Sequence, residues 1–274
     1  MDTSIYKNWK TIQIKEDHIT DMDDTIATEF PLTLMLNGTE FATIVCTPKD
    51  LREMAIGFLA SEGVIRFLDE IKSIQIDAKK GFVYIELTKP LESNDVEHSK
   101  RFIGSCCGKS RQFYFKSDVH TARTINHDLS ITTRQCLDLM KQLQNKSNHF
   151  KKTGGVHNAA LCTVNELLEI RTDIGRHNAL DKIYGYMIEN RIPVKDKVIA
   201  FSGRISSEVL LKISKMGIGV IISTSAPTDL ALQLAYDLKI TTIGFARQHK
   251  MNVYTHPERM NELNQTTEYI ISDK

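Results

Sequence analysis

The first third of the chain alternates apolar and polar residues in short runs. Residues 32–36 and 41–45 form two of them, separated by Asn37-Gly38, a dipeptide whose tolerance of positive φ suits a two-residue hairpin turn. Thr47-Pro48-Lys49-Asp50 then offers a capping hydroxyl, a proline for the first helical position and an early acid. Leu51, Met54, Ala55, Phe58 and Leu59 follow at helical spacing. This helix is predicted to end near Gly63. Residues 71–76 and 82–87 bracket Lys79-Lys80-Gly81 and read as a second hairpin. The chain up to about residue 90 is therefore predicted to be a small ββαββ unit, and the polar stretch 90–100 marks its boundary.

Beyond that boundary the period changes. Residues 132–144 repeat every 3.6 positions, a pattern predicted to stop at Thr153-Gly154-Gly155. Residues 159–164 and 167–173 resemble a hairpin turning around Asn165-Glu166. Leu180, Ile183 and Met187 then mark one face of a helix after Gly175. A strand at 198–201, a helix at 207–216, a strand at 219–223, a helix at 231–238 and a strand at 241–246 complete the pattern. Strands alternating with helices imply right-handed crossovers and a largely parallel sheet covered on both faces. In such sheets ligands collect beyond the carboxyl ends of the strands. The fold class is α/β, divided into 1–100 (a small α+β domain), 101–130 (a cysteine-bearing loop and connector) and 131–274 (the α/β domain). There is no internal repeat.

Composition narrows the function classes. A chain of 274 residues with 41% hydrophobic and 25% charged residues has the make-up of an ordinary globular protein. Its 35 basic and 34 acidic side chains leave a net charge of +1. That is too balanced for sequence-independent nucleic-acid binding. Neither a basic-then-apolar leader nor a bilayer-length apolar run is evident, so a cytoplasmic location without membrane attachment is expected. The five cysteines, Cys46, Cys106, Cys107, Cys136 and Cys162, are odd in number and irregularly spaced. Such a set argues for reduced thiols rather than a secreted disulfide framework. Cys46, Cys136 and Cys162 sit within apolar patterns and read as small buried hydrophobes.

The adjacent pair differs. Gly104-Ser105-Cys106-Cys107-Gly108-Lys109-Ser110-Arg111 sets two thiols among small residues and cations, with Arg101 just upstream. Nearby positive charge favours thiolate, the species that attacks sulfur. The competing reading is a packing pair, the usual fate of free cysteine. Neighbouring Cα atoms lie about 3.8 Å apart, below the roughly 4.4 Å minimum of common disulfides. One thiol carrying an extra sulfur atom therefore fits the pair better than a dithiol switch.

Four polar clusters end strand-like runs in the second half: Asp173-Ile174-Gly175-Arg176-His177-Asn178, Ser202-Gly203-Arg204, Ser223-Thr224-Ser225-Ala226-Pro227-Thr228, and Phe245-Ala246-Arg247-Gln248-His249-Lys250. All are expected on one rim. Glycines admit a ligand to the backbone, helix N-termini offer free N–H groups, and Arg176, Arg204, Arg247 and Lys250 can neutralise phosphates. A large, polyanionic, nucleotide-like ligand is expected there, although each cluster taken singly is also an ordinary turn with a cap. His157 is a candidate ligand contact or proton donor, or else a structural hydrogen-bond partner. His177, beside Arg176 at a helix start, has the better case for function. No metal site is expected: H-x-E with P-C-x-x-C, H-E-x-x-H and a complete P-loop are all missing.

Thr153-Gly154-Gly155-Val156-His157, the block Asp173-Ile174-Gly175-Arg176-His177-Asn178-Ala179-Leu180-Asp181-Lys182, and Ser202-Gly203-Arg204 together resemble the FdhD family. Ser225-Ala226-Pro227-Thr228, Gly244-Phe245-Ala246-Arg247 and Asn252-Val253-Tyr254-Thr255 extend the likeness. Gly57-Phe58-Leu59 and Ser61-Glu62-Gly63 carry it into the first domain, so that it covers about residues 30 to 262. The resemblance implies a sulfurtransferase that takes persulfide sulfur from a cysteine desulfurase. It passes that sulfur to the molybdenum cofactor, in its bis-molybdopterin guanine dinucleotide form, before the cofactor enters formate dehydrogenase. It also implies a cytidine deaminase-like second domain, a homodimer, and guanine nucleotide as a partial mimic of the cofactor. Phe245, Ala246, Arg247, Gln248, His249 and Lys250 are implied to touch that cofactor, joined on the rim by Gly175, Arg176, His177, Ser202, Gly203, Arg204, Ser225 and His157. Many members carry C-x-x-C where this chain has adjacent cysteines. Cys107, which keeps the following Gly108-Lys109, is the first candidate for the persulfide carrier and Cys106 the second. The rival reading is a chaperone that delivers the cofactor without moving sulfur.

Overall fold

Alternating burial along short β-branched runs builds two sheets, and the helices between them provide a shared core. The computed structural model describes residues 4–89, 101–103 (as backbone) and 122–263. Cys106, Cys107 and the cation-flanked segment around them lie outside the described residues.

The first sheet is assembled from the two expected hairpins. β3 (Phe30–Leu36) turns at Asn37 and Gly38 into β4 (Thr39–Cys46). Both turn residues have positive φ, 49° and 80°, as a primed turn requires. Phe30, Leu32, Leu34 and Leu36 alternate inward. β5 (Ile71–Asp77) and β6 (Phe82–Leu87) form the second hairpin. The strand order is β5-β6-β3-β4-β7, with β7 (Arg101–Ile103) parallel to β4 and β6 parallel to β3. The β7 strand was not expected. Neither was an N-terminal ribbon of β1 (Tyr6–Lys15) and β2 (His18–Ala27), a separate two-stranded sheet. Its apolar residues fall on both faces, so no single face stands out along the sequence.

The second sheet has six strands in the order β13-β12-β11-β10-β8-β9. β8 (His157–Cys162) and β9 (Leu167–Asp173) form the expected hairpin, and β10 (Val198–Phe201), β11 (Val220–Ser223) and β12 (Thr241–Arg247) run parallel. β13 (Lys250–Thr255) returns antiparallel to β12. The expectation of a largely parallel sheet needs correction. Only the β10–β11 and β11–β12 pairs are parallel, because hairpins flank the crossover unit on each side. Helices cover both faces. Ala160, Cys162, Val198, Ala200, Val220 and Ile222 face α2 (Thr133–Lys146). Ala159, Leu161, Ile199, Phe201 and Ile221 face α4 (Arg176–Glu189) and α5 (Ser207–Met216), in one core shared with the first sheet and α1 (Leu51–Ser61).

α2 does not run on to the glycine pair. It stops at Lys146, where the Ser147 hydroxyl donates to Leu143 O, and a short helix, α3 (Asn148–Thr153), precedes Gly154. α1 and α4 cross closely at two glycines. A Cβ on Gly57 would lie 1.7 Å from Asp181 O, and one on Gly185 would lie 1.9 Å from Glu53 O. No other residue fits such a seam without driving the helices apart.

Thr47 is the largest departure from the sequence reading. Its hydroxyl does not cap α1, whose N-cap is Asp50 in a left-handed conformation (φ 55°). It donates instead to Asp173 Oδ2 (2.9 Å) and accepts from Lys182 Nζ (2.7 Å). Lys182 and Asp173 are wholly buried and lie 2.7 Å apart. Asp173 also accepts from Thr47 N (2.9 Å), Gly175 N (2.8 Å) and Asn178 Nδ2 (2.9 Å). Removing one member of a buried pair leaves an uncompensated charge in a low dielectric. Lys182→Met is therefore expected to cost about 3–5 kcal/mol in chemical denaturation. A loss below ~1 kcal/mol would show that the buried charge cluster does not stabilise the fold.

Candidate functional site

Two of the parallel strands, β10 and β11, lead into helices at the same end of the sheet. β10 passes through Ser202, Gly203 and Arg204 to α5, and β11 passes through Thr224 to Thr228 to α6 (Asp229–Asp237). β8 and β9 run antiparallel to their neighbours, which brings His157, where β8 begins, and Gly175, just past the end of β9, to that end as well. The expected convergence of the four clusters is thus realised at one rim.

The loops there are tied together by their own hydroxyls. Ser202 Oγ accepts from Asn158 N (2.9 Å), while Ser202 O accepts from the hydroxyls of Thr224 and Ser225, each at 3.2 Å. Ser223 Oγ donates to Gly203 O (2.7 Å), and Phe245 N donates to Ser225 O (3.3 Å). Ser202 and Ser225 therefore brace the rim. Gly203 is needed for closeness, since a Cβ there would lie 2.8 Å from the Phe201 ring and 3.2 Å from Arg176 Cβ. Gly244 has the same role against Pro227 and Ser225 O, each 3.1 Å from the Cβ position.

Three helix N-termini open onto this rim, and none has a side-chain cap. Gly175, Ser206 and Thr228 precede α4, α5 and α6 without a capping hydrogen bond, and the buried Ser206 hydroxyl has no partner among the described residues. Orphan N–H groups together with three helix dipoles make a positive end. Helix N-termini with free N–H groups were expected at these clusters, and no side chain caps the three helices. Arg204 is exposed, and its guanidinium meets no partner among the described residues. Arg247 Nε donates to Thr224 O (2.9 Å), and Lys250 and His249 are exposed. Glu208 and Asp229 lie in the first turns of α5 and α6 and partly offset these charges.

Phe245 stands out on the last strand. It sits at φ 53° within a β-bulge between Gly244 and Arg247, and its ring is 40% exposed. Positive φ costs a bulky residue about 1–3 kcal/mol and persists only where the surroundings enforce it. Gln248, three residues on, also has positive φ (51°), at the turn where Arg247 pairs with Lys250. The strained segment presents a flat ring beside the cations.

His157 and His177 lie on the inner side of the rim. Burial, with Arg176 and His177 nearby, holds the His157 imidazole below its usual range. Burial likewise holds His177 low, opposed by Glu208 and reinforced by Lys212 and Arg176. His177 Nε2 lies 3.1 Å from Glu208 Oε2, a polar contact without good hydrogen-bond alignment. That contact keeps the Glu208 carboxyl below the usual range. The remaining cysteines take no part. Burial pushes the Cys46, Cys136 and Cys162 thiols up to about 12, so they stay protonated and inert. Among the described residues, no group of three or more His, Cys, Asp or Glu side chains is placed to hold a metal ion.

Acid should loosen this rim. An unfolded histidine protonates near 6.5, above the folded values of His157 and His177, so protons bind the unfolded chain preferentially as the pH falls below that value. The Glu208 shift acts in the same direction at lower pH, its contribution being lost as the pH falls through its depressed folded value. Stability is expected to be full near pH 7 and to decline toward about pH 5, with a shallower decline in His177→Gln by thermal denaturation. An unchanged slope in that variant would show that His177 is not held neutral.

Comparison with known proteins accords with this geometry. The solved structure described as that of a formate dehydrogenase accessory protein from Desulfotalea psychrophila superposes with a TM-score of 0.78. It covers 94% of this chain and 100% of that one at 24% identity, and so shares the fold. The sulfur carrier protein FdhD of Bacillus subtilis is 55% identical over 260 residues, 95% of this chain and 98% of the relative. Its counterpart from Staphylococcus haemolyticus is 52% identical over 260 residues, with the same coverage of both chains. No helix among the described residues is long and apolar enough to cross a membrane. The FdhD/NarQ family model matches residues 27–261, and with relatives more than half identical along nearly their whole length, the chain belongs to the FdhD/NarQ family.

Proposed function

We propose that this protein is a cytoplasmic sulfur carrier that receives persulfide sulfur from a cysteine desulfurase and passes it to the molybdenum cofactor destined for formate dehydrogenase. The observation that carries the reading is the convergence of three uncapped helix N-termini with Arg176, Arg204, Arg247 and Lys250 on one rim. That end of the sheet offers amide donors and guanidinium groups matched to the pyrophosphates of a guanine dinucleotide. The exposed Phe245 ring is suited to stacking on a flat heterocycle. His157 and His177 supply neutral imidazoles at the floor. The likeness of this domain to cytidine deaminases belongs to the same reading, with a ligand cradle where those enzymes hold zinc.

Sulfur is assigned to Cys107, with Cys106 beside it. The Cys107 thiolate attacks the outer sulfur of the desulfurase persulfide. A new S–S bond forms, the old one breaks, and the desulfurase cysteine leaves as thiolate. Delivery of that sulfur as sulfide then takes two electrons from a thiol reductant. The relatives from Bacillus subtilis and Staphylococcus haemolyticus are sulfur carrier proteins, which supports the sulfur step.

Incubation with desulfurase and cysteine is expected to add one sulfur atom by intact mass spectrometry, lost in Cys107→Ala and kept in Cys106→Ala. The reverse pattern would move the carrier to Cys106, and persistence in a variant lacking both would remove sulfur transfer and leave a cofactor chaperone. In calorimetry with GDP, Arg204→Ala is expected to weaken binding about tenfold, as for loss of a charge-assisted hydrogen bond. Unchanged affinity would place the nucleotide elsewhere.

A further inference from the structure

α4 and α5 both begin at the rim and run side by side away from it, joined at successive turns. His177 Nε2 lies 3.1 Å from Glu208 Oε2, Lys212 Nζ donates to Asp181 Oδ1 (2.5 Å) a turn further on, and the Tyr184 hydroxyl donates to Lys215 O (3.0 Å) a turn beyond that. At 1.5 Å per residue, Tyr184 and Lys215 stand roughly 13 Å from the helix starts. There a cavity of about 340 Å³ opens between these helices and the segment that follows α1, a volume within the range of small-molecule sites. It lies at the opposite end of both helices from the rim.

Its wall is cationic. Arg66, Arg123 and Lys215 line it, and Glu70 is the acid among the described residues that do. Glu70 Oε2 accepts from the amides of Arg66 (2.5 Å) and Phe67 (2.8 Å), so this carboxylate holds the backbone of the loop. Arg123 is tethered to α5 by its own backbone: its N–H donates to Ser214 Oγ (2.7 Å), and that hydroxyl donates to Arg123 O (2.9 Å). Neither the Arg66 nor the Arg123 guanidinium meets a hydrogen-bond or ion-pair partner among the described residues. Lys215 is only 3% exposed, and its Nζ donates to Ser61 O (2.5 Å).

Cations at this end could serve simply to cap the last carbonyls of α1 and α5. Those carbonyls are already taken. In α1, Phe58 O, Leu59 O and Ala60 O accept from the amides of Glu62, Val64 and Gly63, and Ser61 O accepts from Lys215. In α5, Ile213 O and Ser214 O accept from Ile218 and Gly217, and Lys215 O accepts from Tyr184. The two arginines are surplus to capping.

We propose that this cavity is a second binding site, separate from the rim, for a small organic phosphate. Two planar guanidinium forks and a buried ammonium match the oxygens of a phosphate group. One carboxylate against three cations leaves two positive charges, which a phosphate monoester dianion balances. Ala60, Val64 and Ile65 add apolar lining, and the Phe67 ring, 60% exposed, offers a flat face to the organic part of the ligand.

Calorimetry of the full chain with phenyl phosphate, in a buffer free of phosphate, tests this. Binding is expected with a Kd of about 1 mM or tighter. Arg66→Ala and Arg123→Ala are each expected to weaken it about tenfold while leaving the affinity for GDP unchanged. Phe67→Ala is expected to weaken phenyl phosphate and not inorganic phosphate, and Arg204→Ala on the rim to leave phenyl phosphate unaffected. Absence of binding at about 10 mM, or affinity unchanged in both arginine variants, would overturn the proposal. Loss of phenyl phosphate binding in Arg204→Ala would also overturn it, by placing the ligand on the rim. Equal affinity for inorganic and phenyl phosphate would rule out an organic phosphate as the ligand.

Discussion

One buried ion pair, through the Thr47 side chain it engages, decides how the two sheets meet. Lys182 on α4 and Asp173 at the end of β9 sit without solvent exposure, where desolvation of two charges costs several kcal/mol. The cost is offset because the charges are also hydrogen-bonded. Asp173 accepts from Thr47 through both its amide and its hydroxyl, from Gly175 N and from Asn178, and Asn178 also donates to Val45 O. Such a cluster is satisfied in only one arrangement of the β4–α1 corner against the β9–α4 corner. It therefore specifies geometry more than it adds stability. A second link runs parallel to it, with Asp181 accepting from Ser61 Oγ and Lys212 Nζ at 2.5 Å each.

That constraint bears directly on the rim. The Asp173-to-Lys182 block places its buried residues at the junction and its partly exposed ones, Arg176 and His177, on the rim. Tethering Gly175 N to Asp173 fixes where α4 begins, and with it the direction of its dipole. The loops after β10 and β11 are locked to each other through Ser202, Ser223 and Ser225. The strained Phe245 backbone is held against Ser225 O. The donors are thus prearranged, and little ordering is left for a ligand to bring about.

Much of this was legible in the chain. Asn37-Gly38 located a hairpin because only primed turns want positive φ twice, and β9, α5 and β10 fell where periodicity set them. The gathering of the polar clusters followed from strand direction alone. Other features were hidden because they depend on tertiary partners. Thr47 had every local mark of a helix cap, and only the approach of Asp173 and Lys182 across the junction claims its hydroxyl. Gly57 and Gly185 became interpretable only as one seam. The ribbon escaped notice because its apolar residues serve two faces, which erases the alternation that marks a half-buried strand.

The central claim is that uncapped helix N-termini hold the phosphates of a guanine-bearing cofactor. Amide hydrogen exchange with and without saturating GDP tests it most directly. Slowed exchange is predicted at the first-turn amides of α4, α5 and α6 and along residues 245–250. Unchanged rates at all three helix starts, with GDP demonstrably bound, would contradict it.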